Sequence, residues 1–254
     1  MSQESYNRKY NAAVRRSYKL AYKELSLIYN DVKRIATTQT PEQALSALNN
    51  IQPERFKNLA GKIYSKEGET FYLWQQAQLS KKKDFVGEDF QTGFFSEVWR
   101  SIMNNVLSNA NLLVRFSNMA ETTRKDIRKV LLTGINGNMS KVQIGRLISA
   151  QIGYVKHRAL RIARTETTYA SSLGTERAAK DSVLPLMKVW THGGGGKDPR
   201  PHHVALSGTS VRKGDFFNVG GEKMLYPGDP NGGVGEVVNC TCNSTYVVDE
   251  SRLN

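Results

Sequence analysis

The sequence predicts an α+β fold, in which a mainly helical N-terminal region precedes a small C-terminal module with a long helix and short antiparallel strands. Through the first 180 residues, apolar residues recur every three or four positions, which is the spacing of a helical face. After Pro185 the pattern changes to short alternating runs separated by Gly, Pro and Asp, which is typical of strands and turns. We expect residues 1–130 to form the helical region and residues 131–254 to form the module.

The charge of the chain indicates a polyanionic partner. The 254 residues carry a formal net charge of +13, and residues 101–200 hold sixteen Lys and Arg against six Asp and Glu. Such a field attracts nucleic acid or, as the weaker alternative, an anionic membrane surface. The polar start and the lack of a long apolar run predict neither a signal peptide nor a membrane span. We therefore expect binding to double-stranded DNA without sequence specificity, through Lys156, Arg158, Arg161 and Arg164.

A single long helix is expected over residues 3–36. Tyr6, Tyr10, Val14 and Tyr18 begin a stripe of apolar residues at helical spacing, and the opposite face carries eight Lys and Arg residues. Two interpretations are open: a solvated face on a helix that packs against its own protein, or an extended arm that contacts a partner or DNA. The length of the helix favours the arm.

Capping signals and apolar spacing locate further helices. Thr40, Pro41 and Gln43 predict one capping box, and Ser140 with Gln143 predicts another. Additional helices are expected over 53–66, 69–81, 88–116, 118–133 and 154–181, with a connection at Lys81-Lys82-Lys83 beside Asp84. The aromatic residues of this region are expected to form the helical core rather than to stack on bases; they are Phe71, Tyr72, Trp74, Phe90, Phe94, Phe95 and Trp99.

The helix over 154–181 places a carboxylate on its apolar face. Glu166 falls within a stripe made of Val155, Ala159, Ile162, Tyr169 and Leu173. No Lys or Arg lies three or four positions from Glu166, so a local helical ion pair cannot neutralise it. We expect Glu166 to form a structural network with Arg200 and His203, because a buried carboxylate needs a tertiary partner or a shifted pKa. An orienting ion pair and a catalytic carboxylate both fit this pattern.

Short strands are expected over 187–191, 234–238 and 246–248. The run from Gly193 to Gly196 is expected to be a hairpin tip, since neither a helix start nor a Gly-Lys-Ser/Thr ending follows it. The sequence also lacks a Gly-x-Ser-x-Gly elbow, a His-Glu-x-x-His motif and a dinucleotide fingerprint. The sequence therefore carries none of the commonest hydrolase and nucleotide-binding signatures.

The two cysteines near the end of the chain are candidate ligands of a structural zinc ion. In an extended segment Cys240 and Cys242 point to the same face, so both sulfurs can meet at one point. His203 is expected to be the third ligand, with either His192 or His202 as the fourth. The alternative is that both cysteines are small buried side chains, since a Cys-x-Cys pair supplies half of the usual four ligands.

Residues 138–246 carry an ordered series of short motifs. They are Arg164-Thr165-Glu166, Trp190, Pro199-Arg200-Pro201-His202-His203, Gly208, Phe216-Phe217, Pro227-Gly228-Asp229-Pro230 and Asn239-Cys240-Thr241-Cys242. This series resembles the phage Mu F-like minor head protein (phage head morphogenesis) family, whose histidine matches His203 and whose variable position beside it matches His202. Thr241 stands where the family usually has arginine, and the acidic residue that many members carry is missing from the Gly193–Gly196 run.

The resemblance implies a virion protein inside the phage head, made in the host cytoplasm. It implies association with the portal protein and a role in packaging or ejection of double-stranded DNA; scaffold and major capsid proteins are further candidate partners. We further infer that residues 1–130, which lie outside the resemblance, dock on the portal or the capsid. The main expectation is a protein without catalytic residues. The alternative is an enzyme carried in the head, either metal-dependent or similar to an ADP-ribosyltransferase, although the Glu67-Gly68-Glu69 sequence that the latter chemistry would use lies outside the module.

Overall fold

The computed structural model describes residues 3–81, 92–194 and 198–252. It confirms the α+β class: long helices fill most of the chain, and short antiparallel strands follow near its C-terminal end. The helices are α1 (Gln3–Thr38), α2 (Pro41–Ser46), α3 (Pro53–Ile63), α4 (Glu69–Leu79), α5 (Thr92–Leu107), α6 (Ala110–Asn136), α7 (Lys141–Ala150), α8 (Ile152–Lys180), α9 (Pro201–Ala205) and α10 (Val234–Val237). A π-helical turn over Tyr64–Gly68 separates α3 from α4.

The strands form two small antiparallel sheets. They are β1 (Leu186–Thr191), β2 (Ser210–Arg212), β3 (Phe217–Val219), β4 (Glu222–Met224) and β5 (Asn243–Val248). In the first sheet β1 is the central strand between β2 and β5, with Trp190 opposite Ser244. The second sheet is the β3–β4 hairpin. Both sheets are assembled from the last third of the chain.

Both predicted capping boxes are present. The hydroxyl of Thr40 accepts a hydrogen bond from the backbone N–H of Gln43, whose side chain accepts one from the Thr40 N–H. Ser140 and Gln143 make the same reciprocal pair at the start of α7. These bonds satisfy backbone donors that the first helical turn leaves without partners, so the two helix starts are fixed locally.

The chain divides into two compact units. The first consists of residues Met1–Ser17, Lys62–Asn105 and Ile162–Asn254. Its described core includes a cluster of Trp190, Phe217, Val219, Met224, Val237, Cys240 and Cys242, and another of Tyr6, Tyr10, Ala13, Phe71 and Trp74. The hydrophobic effect therefore holds the start of α1 and the C-terminal strands within the same unit.

The second unit consists of Tyr18–Gly61 and Val106–Arg161. Inside it α6 packs against α7, and a Cβ at Gly134 would lie 2.6 Å from the side chain of Ile144, so glycine permits this close approach. The buried side of α6 carries Leu112, Phe116, Ala120, Ile127 and Leu131. These units do not coincide with the expected division at residue 130. That division is based on the extent of the family resemblance, and it stays a prediction.

Three expectations about helices and strands are wrong. The break expected between residues 116 and 118 lies instead at residues 108–109, because the Asn109 side chain caps the start of α6. The N-terminal part of α1 is not an extended arm, because Tyr6 and Tyr10 are buried and the ring of Tyr6 packs against Phe71 and Trp74. Residues 234–238 do not form a strand; α10 starts there, where the Glu222 carboxylate accepts a hydrogen bond from the Gly233 N–H. No helix among the described residues is long and apolar enough to span a membrane.

Several expectations fall partly outside the described residues. The lysine connection is described only at Lys81, and the glycine run only at Gly193 and Gly194. Phe90 lies outside the described residues, as do the side chains of Phe94 and Phe95. The remaining aromatic residues of that group, Phe71, Tyr72, Trp74 and Trp99, are buried as expected.

Candidate metal centre

Helix α8 holds the backbone of the Cys-x-Cys segment through two threonines. The hydroxyl of Thr165 accepts a hydrogen bond from the Asn239 N–H at 2.8 Å, and the hydroxyl of Thr168 donates to the Cys240 carbonyl at 2.6 Å. The Tyr10 hydroxyl lies 2.8 Å from that of Thr168 and donates to it, since the Thr168 proton is already used. Asn239 has a φ of 59°, a left-handed conformation that asparagine tolerates better than most residues.

Two cysteines and two histidines meet beside this segment. Nδ1 of His203 lies 3.6 Å from Sγ of Cys240 and 3.6 Å from Sγ of Cys242. Nδ1 of His192 also lies 3.6 Å from Sγ of Cys242. Cys240, Cys242 and His203 are each 2% exposed, so their polar atoms are withdrawn from water. The predicted convergence of His203, Cys240 and Cys242 is present, and His192 is the histidine that joins them.

Glu236 fixes the other side of the His203 ring. Its Oε2 lies 2.7 Å from Nε2 of His203 and 2.6 Å from Nε2 of His202. Burial alone would lower the pKa of His203, but hydrogen bonding and charge interaction with Cys240, together with Glu236, raise it above its ordinary value. Burial would raise the pKa of Glu236, and the two histidines lower it instead. His202, the other candidate for a fourth ligand, contacts Glu236.

Both cysteines are free thiols. Their mutual hydrogen bond raises the pKa of Cys240 and lowers that of Cys242; the latter is also lowered by a backbone hydrogen bond from Gly193. Sγ of Cys240 accepts a further hydrogen bond from the Cys242 N–H at 3.4 Å. The surroundings therefore favour the thiolate, the form that binds metals, at Cys242, whereas the hydrogen bond with Cys242 and burial disfavour it at Cys240.

An open cavity of about 400 Å³ leads to this cluster. Its polar lining includes Arg164 and Arg200, whose guanidinium groups hydrogen-bond Asn239 Oδ1 at 3.4 Å and the Val238 carbonyl at 2.8 Å. The cavity also reaches His192, His203 and both cysteines. An ion could thus reach the buried sulfurs from outside.

The expected network of Glu166, Arg200 and His203 is not the one that the described hydrogen bonds form. Glu166 is buried as predicted, but its carboxylate accepts a hydrogen bond from Tyr64, in the π-helical turn. The carboxylate on His203 belongs to Glu236, and Arg200 binds a backbone carbonyl. The sequence could not predict these pairings. Tyr64 and Glu166 are 102 positions apart, and Glu236 lies on α10, a segment whose pattern predicts a strand.

The four predicted DNA-binding residues lie in different surroundings along α8. Lys156 and Arg161 are exposed. Arg158 is 16% exposed and binds the Asp126 carboxylate at 2.9 Å and the Met119 carbonyl at 2.8 Å. Arg164 lines the cavity beside the cysteines. Of these four residues, only Lys156 and Arg161 are exposed to solvent, as a contact with phosphate requires.

Other motif residues pack against the cluster or close a turn. Trp190 packs edge-to-face against both His203 and Phe217, with ring centroids 5.5 Å and 5.3 Å apart. The Asp229 carboxylate accepts hydrogen bonds from the N–H groups of Leu225 and Asn231 and so closes its turn. The fold and site thus define an α+β protein with a buried His/Cys/Cys cluster whose donor atoms suit a metal ion.

Comparison with known proteins gives two partial similarities. The chain is 31% identical to the uncharacterized protein YqbB of Bacillus subtilis over 138 residues, which are 53% of this chain and 45% of that protein. It is 24% identical to the NAD(+)--arginine ADP-ribosyltransferase EFV of Enterococcus faecalis over 227 residues, which are 86% of this chain and 44% of that protein. The chain thus spans less than half the length of these curated relatives. No family model and no solved structure matches it.

Proposed function

We propose that the chain is a phage minor head protein of the Mu F-like type, which acts as a portal-associated, DNA-binding component inside the head and has no catalytic role. The observation that carries this proposal is the convergence of the family motifs. Thr165, Trp190 and His203 belong to three separate motifs, yet each contacts the fourth motif, Asn239-Cys240-Thr241-Cys242, or a neighbour of it. Contacts of this kind explain why motifs dispersed between residues 164 and 242 occur together.

The motif contacts favour a structural role for the module. The threonines bind backbone groups, Trp190 and Phe217 pack in the core, and Asp229 closes a turn. The Glu166 carboxylate is paired with Tyr64 inside the protein, so a hydrolase that uses Glu166 as its base receives no support from this arrangement. We further propose that His203, Cys240 and Cys242 hold a structural zinc ion.

The second unit supplies the charge for the proposed DNA contact. It holds sixteen Lys and Arg against six Asp and Glu, and the first unit holds twenty against seventeen, so ten of the thirteen net positive charges belong to the second unit. Residues 127–165 contain eight Lys and Arg and no Asp or Glu. An unneutralised field of this size binds the phosphates of duplex DNA without reading bases.

The exposed face of α6 is the part of this unit that we propose touches DNA. Lys125, Arg128 and Lys129 lie along it at helical spacing with Leu132 and Asn136, and they line a shallow open depression. This face is opposite the side that carries Ile127 and Leu131 into the core. Its cations can therefore approach phosphates without disturbing the packing, and the ion pair of Lys125 with Glu121, at 3.9 Å, is itself exposed.

A salt titration tests the DNA proposal. Replacing three phosphate contacts should reduce the slope of log K against log salt by about 2.7, because each contact contributes about 0.9 through counterion release. The variant is Lys125→Gln with Arg128→Gln and Lys129→Gln. A control with the same loss of charge in the first unit is Lys62→Gln with Lys66→Gln and Lys223→Gln, and its slope should equal that of the wild type. Equal slopes for all three proteins would remove α6 from the contact surface.

Particle composition tests the head proposal. Heads purified from a host that produces the parent phage are separated from tails and probed for the chain with an antibody. The chain should remain with DNA-filled heads and should be lost from particles made when its gene is disrupted, with recovery on complementation. Heads that lack the chain in wild-type particles would refute the proposal.

A second candidate function is ADP-ribosyl transfer, which the similarity to the Enterococcus faecalis enzyme favours. The chain covers 44% of that enzyme, so the enzyme has a larger part that this chain does not represent. Incubation of the purified chain with NAD and an arginine-containing acceptor distinguishes the two functions. Release of nicotinamide above the level of a heat-denatured sample would support the enzyme, and its absence would support the structural protein.

A further inference from the structure

The spacing of the sulfur and nitrogen atoms is that of a tetrahedral zinc site. Zn–S bonds of about 2.3 Å and Zn–N bonds of about 2.0–2.1 Å give a sulfur-to-nitrogen edge of about 3.6 Å in a tetrahedron. A site with two sulfurs and two nitrogens has four such edges. Three of them are measured here, and each is 3.6 Å: Cys240 to His203, Cys242 to His203 and Cys242 to His192.

Hydrogen bonding between thiols and imidazoles explains this spacing less well. A neutral imidazole nitrogen either donates one proton or accepts at one lone pair, so Nδ1 of His203 cannot bind both sulfurs equally well. The two distances from His203 Nδ1 are nevertheless the same. Equal separations arise naturally when all the donor atoms are directed at one central ion.

Glu236 selects the form of His203 that binds a metal. Nε2 of His203 faces the carboxylate at 2.7 Å, so the ring proton belongs on Nε2 and the Nδ1 lone pair is directed at the sulfurs. Metal-bound histidines commonly donate their second ring N–H to a carboxylate in this way. His203 therefore has both its ligand atom and its orienting partner in place.

His192 is held beside Cys242 by its own backbone. Its N–H donates to the Ser207 hydroxyl at 3.1 Å, and the next residue, Gly193, lies directly against the Thr241 carbonyl. A Cβ at Gly193 would be 1.9 Å from that oxygen, so only glycine permits the approach. This contact ties the chain after β1 to the Cys-x-Cys segment and places His192 at the cluster.

We propose that His192 is the fourth ligand of a closed Cys2His2 zinc site and that Glu236 is a positioning residue for His203. The inference rests on the structural zinc in the proposed function and adds its fourth ligand. Two thiolates, two neutral imidazoles and Zn²⁺ sum to no net charge, which suits a site where Cys240, Cys242 and His203 are each 2% exposed and His192 is partly buried. Four protein ligands leave no position for a reactive water, so the site stabilises the module instead of catalysing hydrolysis.

Metal binding by the full chain tests this inference. Wild-type protein, purified under reducing conditions, should contain one zinc per chain, and its cobalt(II) form should show the spectrum of a tetrahedral site with two sulfurs. His192→Ala should weaken zinc binding at least tenfold and change that spectrum. His202→Ala is the matched control, because His202 contacts the same Glu236, and it should keep the spectrum of the wild type.

Two further variants distinguish loss of a zinc ligand from misfolding of the chain. His192→Cys keeps a fourth ligand and should retain tetrahedral cobalt with a stronger sulfur signal, and Glu236→Gln should weaken zinc about 10–100-fold as other orienting partners do. Zinc binding by His192→Ala equal to that of the wild type would overturn the fourth ligand. A wild-type chain that is free of zinc and indifferent to chelator would overturn the zinc site itself. Neither result bears on the presence of the chain in heads.

Discussion

Replacement of Thr168 by valine tests whether α8 holds the Cys-x-Cys segment. Thr168 is fully buried, and its hydroxyl links the Tyr10 hydroxyl to the Cys240 carbonyl. Valine has nearly the same shape, so the substitution removes two hydrogen bonds without opening a cavity. The effect on stability therefore reports the hydrogen bonds alone.

The magnitude follows from the two groups that lose their partner. A buried polar group left without a hydrogen bond costs about 1–3 kcal/mol. The Cys240 carbonyl and the Tyr10 hydroxyl would both be affected, and Tyr10 retains 7% exposure through which water can compensate in part. We expect the free energy of unfolding of the first unit to fall by about 2–4 kcal/mol, or roughly 5–10 °C in melting temperature.

Tryptophan fluorescence measures this unit selectively. All three tryptophans, Trp74, Trp99 and Trp190, belong to the first unit. Denaturant unfolding followed by their emission should show the loss for Thr168→Val, and Thr168→Ser, which keeps the hydroxyl, should recover most of it. The control Thr70→Val removes an exposed hydrogen bond from the Thr70 hydroxyl to the carbonyl of Lys66, four residues earlier, and should change stability by less than about 0.5 kcal/mol. A Thr168→Val protein as stable as this control would refute the anchoring role.

Two other substitutions in the first unit have defined outcomes. Gly193→Ala puts a Cβ 1.9 Å from the Thr241 carbonyl oxygen, so it should displace His192, weaken zinc binding and lower the melting temperature; unchanged zinc content would contradict this. Lys188 is fully buried, 3.9 Å from Glu176, and burial lowers its pKa. The unfolded chain therefore binds the lysine proton more strongly, and stability should rise with pH from the lowered pKa up to about 10.5. In Lys188→Met that rise should be smaller, and parallel pH profiles in urea unfolding would exclude the effect.

The sequence predicted those elements whose causes are local. The capping boxes at Thr40 and Ser140 depend on residues three positions apart, and both are present. The β1 and β5 segments were expected from alternation, although the structure extends each of them. In contrast, α10 begins where Glu222 binds the Gly233 N–H, a contact between residues eleven positions apart. A pattern of valines does not reveal that partner, and alternation alone predicts a strand for this segment.

The sequence predicts the cluster of His203, Cys240 and Cys242 but not the Glu236 carboxylate beside it. Cys240, Cys242 and His203 have side chains of distinctive chemistry, which made them recognisable without a structure. Glu236 has no such signal, and its role depends on α10 turning it toward the histidines. The sequence instead favours Glu166, because that carboxylate lies on the apolar stripe of α8. Residues 165–172 of that helix are all buried, so an amphipathic interpretation could not show which polar group each of them would meet.

The polar side chains of α8 are best understood from the backbone of the segment they contact. Asn239 to Cys242 precedes β5, and buried N–H and C=O groups there need partners that a sheet would otherwise supply. Thr165 accepts from the Asn239 N–H, Thr168 donates to the Cys240 carbonyl, and Cys240 Sγ accepts from the Cys242 N–H. These bonds fix the two sulfurs before any ion binds. A metal would then add stability to a site that the threonines have already ordered, which is why Thr168 should matter to the chain with and without zinc.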